Sequence, residues 1–190
     1  MNRLWSSAFV AAALAASTVG MGTVSAQSAA GGLQLFDQRM AAYAELHQRI
    51  HGAVPWVPTD DAHVLVRRRA DLGSAIRVER ADAKQGEMFD AATAAALHDI
   101  VADVLRGVDV ELLLVDLYEG CETPVGYRPL VNASYPDWAT HQMPVALLMA
   151  LPALPAGMQY RLIDHDLLLW DIDADVIIDV LPDALPRAGS

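Results

Sequence analysis

The chain has 190 residues, and its 13 basic residues against 24 acidic ones give a net charge of −11 with neutral histidines. Nucleic acids and anionic lipid surfaces recruit Lys and Arg, so a chain this acidic is not expected to bind either of them. Its length suits one ordinary domain with its own hydrophobic core. Cys121 is the only cysteine, which excludes an intramolecular disulfide and predicts a small buried side chain.

The first 26 residues have the pattern of a secretory signal peptide. Arg3 supplies a positive charge, an apolar run follows over residues 8–16, and the small residues Val24 and Ala26 suit signal peptidase. The apolar run is shorter than the roughly 20 residues that span a bilayer, so we expect cleavage after Ala26 rather than a membrane anchor. The sequence thus predicts export to the periplasm or beyond the cell, without stable membrane insertion.

Residues 27–32 are small and polar, and they predict a flexible leader. Residues 33–118 have helical patterns, beginning with an amphipathic helix that ends at Gly52. Its apolar face is expected to contain Phe36, Met40, Tyr43, His47 and Ile50.

Further helices are predicted after this first one. Asp60 or Asp61 is placed to cap the second helix, Asp90 caps the third, and residues 108–118 favour a fourth. The second helix carries five arginines, which we interpret as a solvated face paired with neighbouring acids: Arg67, Arg68, Arg69, Arg77 and Arg80.

The C-terminal part of the chain changes character. Prolines and glycines predict a long structured loop at residues 119–143, and Pro144 suits the start of a short helix at residues 144–151. Apolar residues then alternate over residues 158–181, which predicts a three-stranded antiparallel meander with one apolar face. Packing the helices on that face gives a single α+β domain over residues 33–187.

The long loop is the first candidate for a functional site, because long loops inside a domain either pack by their own side chains or carry a site. Its candidate ligand-binding residues are Tyr127, Asn132, Tyr135, Trp138 and His141. With no catalytic signature in the chain, the favoured interpretation is an exported, non-enzymatic binding or interaction module of the bacterial envelope, with a protein or small molecule as its partner.

Metal binding is a second interpretation, although no cofactor is required by any motif. His47 and His51 lie one helical turn apart, but zinc needs a third and a fourth ligand, for which His63 or His98 are further candidates. Asp171, Asp173 and Asp175 form a D-x-D-x-D run, but Val176 and Pro182 stand where a calcium loop needs glycine and glutamate. A divalent metal at these residues is therefore an alternative prediction.

A small hydrolase or isomerase is the third interpretation. The chain has no G-x-S-x-G motif and no phosphate-binding glycine loop. A catalytic site would have to lie within residues 120–141, where polar and reactive side chains are concentrated: Cys121, Tyr127, Asn132, Tyr135, Asp137 and His141.

Two stretches of the sequence resemble known proteins. The run FDQRMAAY at residues 36–43, with LPALP at residues 151–155 before Tyr160 and Arg161, is similar to a family of small exported bacterial proteins of unknown function. The C-terminal strands also resemble a β module of small periplasmic proteins, among them accessory proteins of nickel and cobalt efflux. These resemblances imply export and a bacterial origin, and they bring no catalytic residue, substrate or partner.

Overall fold

The computed structural model describes residues 21–54, 58–119, 124, 126–139 and 143–187. Its elements, in chain order, are α1 (Met21–Ala53), α2 (Ala62–Glu79), α3 (Ala91–Val104), α4 (Val110–Leu117), α5 (Val145–Ala150), β1 (Met158–Ile163), β2 (Asp166–Asp171) and β3 (Val176–Leu181). The architecture is α+β, with N-terminal helices and a C-terminal antiparallel sheet, as the sequence predicts. No helix within these described ranges has the length and apolar character to cross a membrane.

The helices begin where the sequence supplies caps. Asp61 accepts a hydrogen bond from the backbone N–H of His63 at 2.9 Å, and Asp90 accepts one from that of Thr93 at the same distance. Each carboxylate satisfies a backbone donor that has no partner within the helix. The apolar face of α1 is confirmed, since Phe36, Met40, Tyr43 and Ile50 are all buried in the main core.

The sheet is a meander with the order β1-β2-β3, and both strand pairs are antiparallel. Asp164 and His165 form the two-residue connection between β1 and β2, and Asp164 adopts a positive φ of 54°. Asp tolerates this left-handed conformation better than most residues do. Residues 172–175 connect β2 to β3, and Asp175 has a φ of 52°.

Both faces of the sheet are buried, which corrects the expectation of a single apolar face. The helices cover the face that contains Leu167, Leu169 and Ile178. The long loop covers the opposite face, where residues of the sheet and the loop form a second cluster with Ile163, Leu168, Ile177, Val180, Tyr135 and Ala139. The aromatic residues of the loop therefore contribute to a core.

Two other expectations are wrong in detail. Residues 27–32, predicted as a flexible leader, are helical and belong to α1, where Gly32 is buried against α3 and its carbonyl accepts a hydrogen bond from the Thr93 hydroxyl at 3.0 Å. Arg80, predicted on a solvated face, is only 7% exposed. Its guanidinium donates to the Ile178 carbonyl at 3.0 Å and to Glu87, so protein acceptors replace water.

Candidate functional site

A buried carboxylate joins α1 to the end of β2. Asp171 is fully buried, and its Oδ2 accepts hydrogen bonds from the Tyr43 hydroxyl at 2.8 Å and from His47 Nδ1 at 2.7 Å. Tyr43 and His47 lie four residues apart on α1, so helical geometry places them on the same face. A carboxylate only accepts, so His47 Nδ1 carries the proton and Nε2 is directed away from Asp171.

The turn after β2 holds Asp171 in this position. Asp171 Oδ1 accepts a hydrogen bond from the backbone N–H of Ala174 at 3.0 Å. The Ala174 carbonyl in turn contacts α2 at Gly73, where an added Cβ would come within 2.2 Å of the Ala174 oxygen. Only glycine allows α2 to approach the turn this closely. The Asp171 carboxylate is therefore held by a hydrogen bond within the turn, and the turn is held by its close contact with α2.

The electrostatics of this group follow from its burial. The hydrogen bond to Asp171 raises the pKa of His47, partial burial opposes that rise, and the negative charges of Asp171 and Asp173 add to it. Burial, followed by the charge of Asp171 and the hydrogen bond to it, raises the pKa of Tyr43, so this phenol stays neutral. The Arg80 guanidinium lies 5.2 Å from the centre of the Tyr43 ring. A cationic His47 is thus the favoured partner of the buried carboxylate.

A groove of about 440 Å³ opens next to this group, between α1, α2 and the β2–β3 turn. We call it the α1–α2 groove. His51, whose ring stacks on that of His47 with centroids 6.0 Å apart, lies in its wall. The wall combines four apolar residues, Val54, Leu65, Leu72 and Ile172, with four polar ones, His51, Arg68, Arg69 and Asp173. Its volume lies within the range found for small-molecule sites.

Comparison with known proteins gives no functional assignment, so any assignment rests on the geometry described above. The chain matches no protein-family model, no curated protein and no solved structure.

The structure brings together only part of the predicted metal set. His47 contacts Asp171, and His51 and Asp173 line the groove beside them. Asp175 is engaged elsewhere, since its Oδ1 accepts from the Tyr135 backbone N–H and from Trp170 Nε1, both at 3.2 Å. Among the residues that the structure describes, no three His, Cys, Asp or Glu side chains are grouped as a metal site would require.

The predicted loop residues have structural partners. Tyr127, Tyr135 and Trp138 belong to the core on the second face of the sheet, with Tyr127 and Trp138 in an edge-to-face contact at 5.1 Å. Asn132 pairs with β3, where its N–H donates to the Ile177 carbonyl at 2.9 Å, and its side chain contacts Arg80. His141 and Cys121, predicted in the same loop, lie outside the described residues.

Sequence patterns do not indicate Tyr43 or most of the groove wall as parts of a site. They predict Tyr43 in the core alone and Arg68 and Arg69 on a solvated face, and they give Ile172 no role. The only signal for Tyr43 was its position four residues before His47, because Tyr and Trp place a polar atom on an apolar face. Nothing in the sequence pairs Asp171 with α1, since 124 residues separate it from His47.

The raised pKa of His47 predicts a specific dependence of stability on pH. Because the folded pKa lies above the unfolded one, the stabilising contribution is complete below about pH 6.5 and is lost as pH rises through the folded pKa. Urea unfolding across this range will show a loss of stability in the wild type that His47→Gln abolishes. His51→Gln is the matched control, and parallel pH profiles for wild type and His47→Gln would refute the assignment.

Proposed function

We propose that the chain is an exported, non-enzymatic binding module of the bacterial envelope that holds a small organic anion in the α1–α2 groove. The observation that carries the proposal is the groove itself, which opens beside the buried Tyr43–Asp171–His47 group. These hydrogen bonds hold α1 and the β2–β3 turn, which form two sides of the groove, and a preorganised site lowers the cost of binding. The sequence supplies no nucleophile motif for a catalytic step.

The charge of the groove selects the class of ligand. In a chain of net charge −11, the described residues of the groove wall include Arg68, Arg69 and His51 beside the carboxylate of Asp173. Arg69 also donates to Asp175 at 3.4 Å and lies 5.6 Å from the Trp170 ring centre, which holds it in place. Arginine presents a planar set of donors that matches a carboxylate.

The apolar half of the wall specifies the rest of the ligand. Leu72 is buried, while Leu65 is 48% exposed at the groove. A ligand that covers Leu65 removes apolar surface from water, which favours binding. A short-chain carboxylate, with a charged head and an aliphatic tail, combines both features, so hexanoate is a suitable probe.

Calorimetric titration with hexanoate tests this assignment. Hexanoate is expected to bind, and Arg68→Gln is expected to weaken that binding by about fivefold or more, because a hydrogen bond to a charged group is removed. Arg106→Gln is the matched control, since Arg106 lies at the end of α3 and pairs with Asp103. Equal affinities in wild type and Arg68→Gln, or no binding of hexanoate to either, would contradict the proposal.

Export is tested separately. We expect the full chain, expressed in a bacterium, to be recovered outside the cytoplasm with Gln27 as its first residue, as read from intact mass. A chain that stays in the cytoplasm, or that keeps its first residues, would contradict export.

A further inference from the structure

A second groove, of about 520 Å³, lies at the free edge of the sheet. We call it the β1–α5 groove. The strand β1 is an edge strand, and its residues Met158, Gln159, Tyr160 and Arg161 form one wall. The opposite wall includes Val145 and Leu148 of α5 and the segment of residues 152–154. It shares no lining residue with the α1–α2 groove.

One residue that lines this groove, Tyr160, carries a buried hydroxyl group. Its side chain is only 4% exposed, and its buried hydroxyl has no hydrogen-bond partner among the residues that the structure describes. A buried hydroxyl without a partner costs free energy, and such groups are rare in folded proteins. Because Tyr160 lines the groove, a ligand whose acceptor reaches this hydroxyl from the groove would remove this cost.

The surroundings of Tyr160 decide the charge of that acceptor. Burial, together with the negative charge of Asp37 on α1, raises the pKa of Tyr160, so the hydroxyl remains a donor. The same negative charge disfavours a carboxylate at this position. Arg161 projects to the other face of the sheet, where its guanidinium lies 5.2 Å from the Trp170 ring centre. A neutral carbonyl oxygen is therefore the better partner.

The remaining wall is apolar and open to solvent. Val145 is 73% exposed and Leu148 is 46% exposed, although both are aliphatic and line the groove. Met143 and Met158, which are buried, add flexible apolar surface that adapts to an inserted chain. The volume lies within the range of small-molecule sites.

We propose that the β1–α5 groove is a second binding site, which takes a neutral acyl compound such as an ester, with its aliphatic chain against α5 and its carbonyl oxygen accepting a hydrogen bond from Tyr160. The site is independent of the α1–α2 groove and differs from it in ligand charge. An ester should therefore bind in the β1–α5 groove, and the acid of the same chain length should bind in the α1–α2 groove.

Methyl hexanoate is the probe that tests this site, followed by NMR chemical-shift changes and by titration of the full chain. We expect methyl hexanoate to shift the resonances of Tyr160, Leu148 and their neighbours. Tyr160→Phe should reduce its affinity by about fivefold or more, because the donor is lost. Hexanoate should not shift these resonances.

The urea midpoint of Tyr160→Phe without ligand supplies a second readout. Since the hydroxyl has no partner within the described part of the chain, its removal should leave the midpoint unchanged or raise it, whereas removal of a hydrogen bond made within the protein would lower it. Tyr127→Phe, in the loop on the other face of the sheet, is the matched control and should keep the wild-type affinity for the ester. A lowered midpoint in Tyr160→Phe, ester binding that this variant does not weaken, or no ester binding at all would overturn the proposal. A hexanoate result in the α1–α2 groove changes none of these outcomes.

Discussion

Replacing Asp179 by asparagine will destabilise the fold by about 4 kcal/mol, which is among the largest effects expected of a single substitution. Asp179 is fully buried in β3, and its carboxylate accepts the backbone N–H groups of Gly86, Met88 and Phe89 at 2.7–2.9 Å. An asparagine of the same shape directs its NH₂ group at some of these donors. The connection between α2 and α3 would lose its anchor to the sheet.

Urea unfolding measures this loss, and Asp183→Asn is the control. Asp183 is an exposed aspartate four residues further along, paired with Arg187, and its replacement should leave stability nearly unchanged. If Asp179→Asn were as stable as Asp183→Asn, the carboxylate would not anchor the α2–α3 connection.

The second large effect is expected at Asp171. Asp171→Asn should cost about 3 kcal/mol, because it removes the buried negative charge that His47 and Tyr43 both contact. The same change should lower the pKa of His47, since the hydrogen bond to Asp171 is the largest cause of its rise. NMR titration of the His47 ring and urea unfolding measure the two effects on one variant.

Asp173→Asn is the control for Asp171, because Asp173 lies two residues away in the same turn but is exposed. It should change stability little and should lower the pKa of His47 much less. An unchanged His47 pKa in Asp171→Asn, or equal losses of stability in the two variants, would refute a buried ion pair between Asp171 and His47 beside the α1–α2 groove.

Much of the fold could be predicted from the sequence, because its elements are encoded locally. The face of α1, the caps at Asp61 and Asp90, and the alternation within β1 depend on residues that are neighbours in the chain. The burial of the second face of the sheet did not follow from such patterns. Every residue of β3 is buried. The sequence of a strand that is covered on both faces lacks the alternation of apolar and polar residues, so it cannot be distinguished from other short apolar segments.

The candidate site was only half predictable for the same reason. The spacing of His47 and His51 placed two imidazoles on one face, and the structure stacks their rings. Their carboxylate partner and the α2 wall of the groove come from distant parts of the chain, so no local pattern indicates them. The aspartate run at residues 171–175 suggested one shared role, whereas turn geometry sends Asp171 and Asp175 to different partners.

The most direct test of the central claim is an NMR map of where hexanoate binds on the full chain, with hexylammonium as the probe of opposite charge. Hexanoate is expected to shift the resonances of His51, Ile172 and Asp173 around the α1–α2 groove, and hexylammonium is expected to leave them in place. Shifts produced equally by both compounds, or shifts confined to other surfaces, would contradict an anion-binding site in this groove.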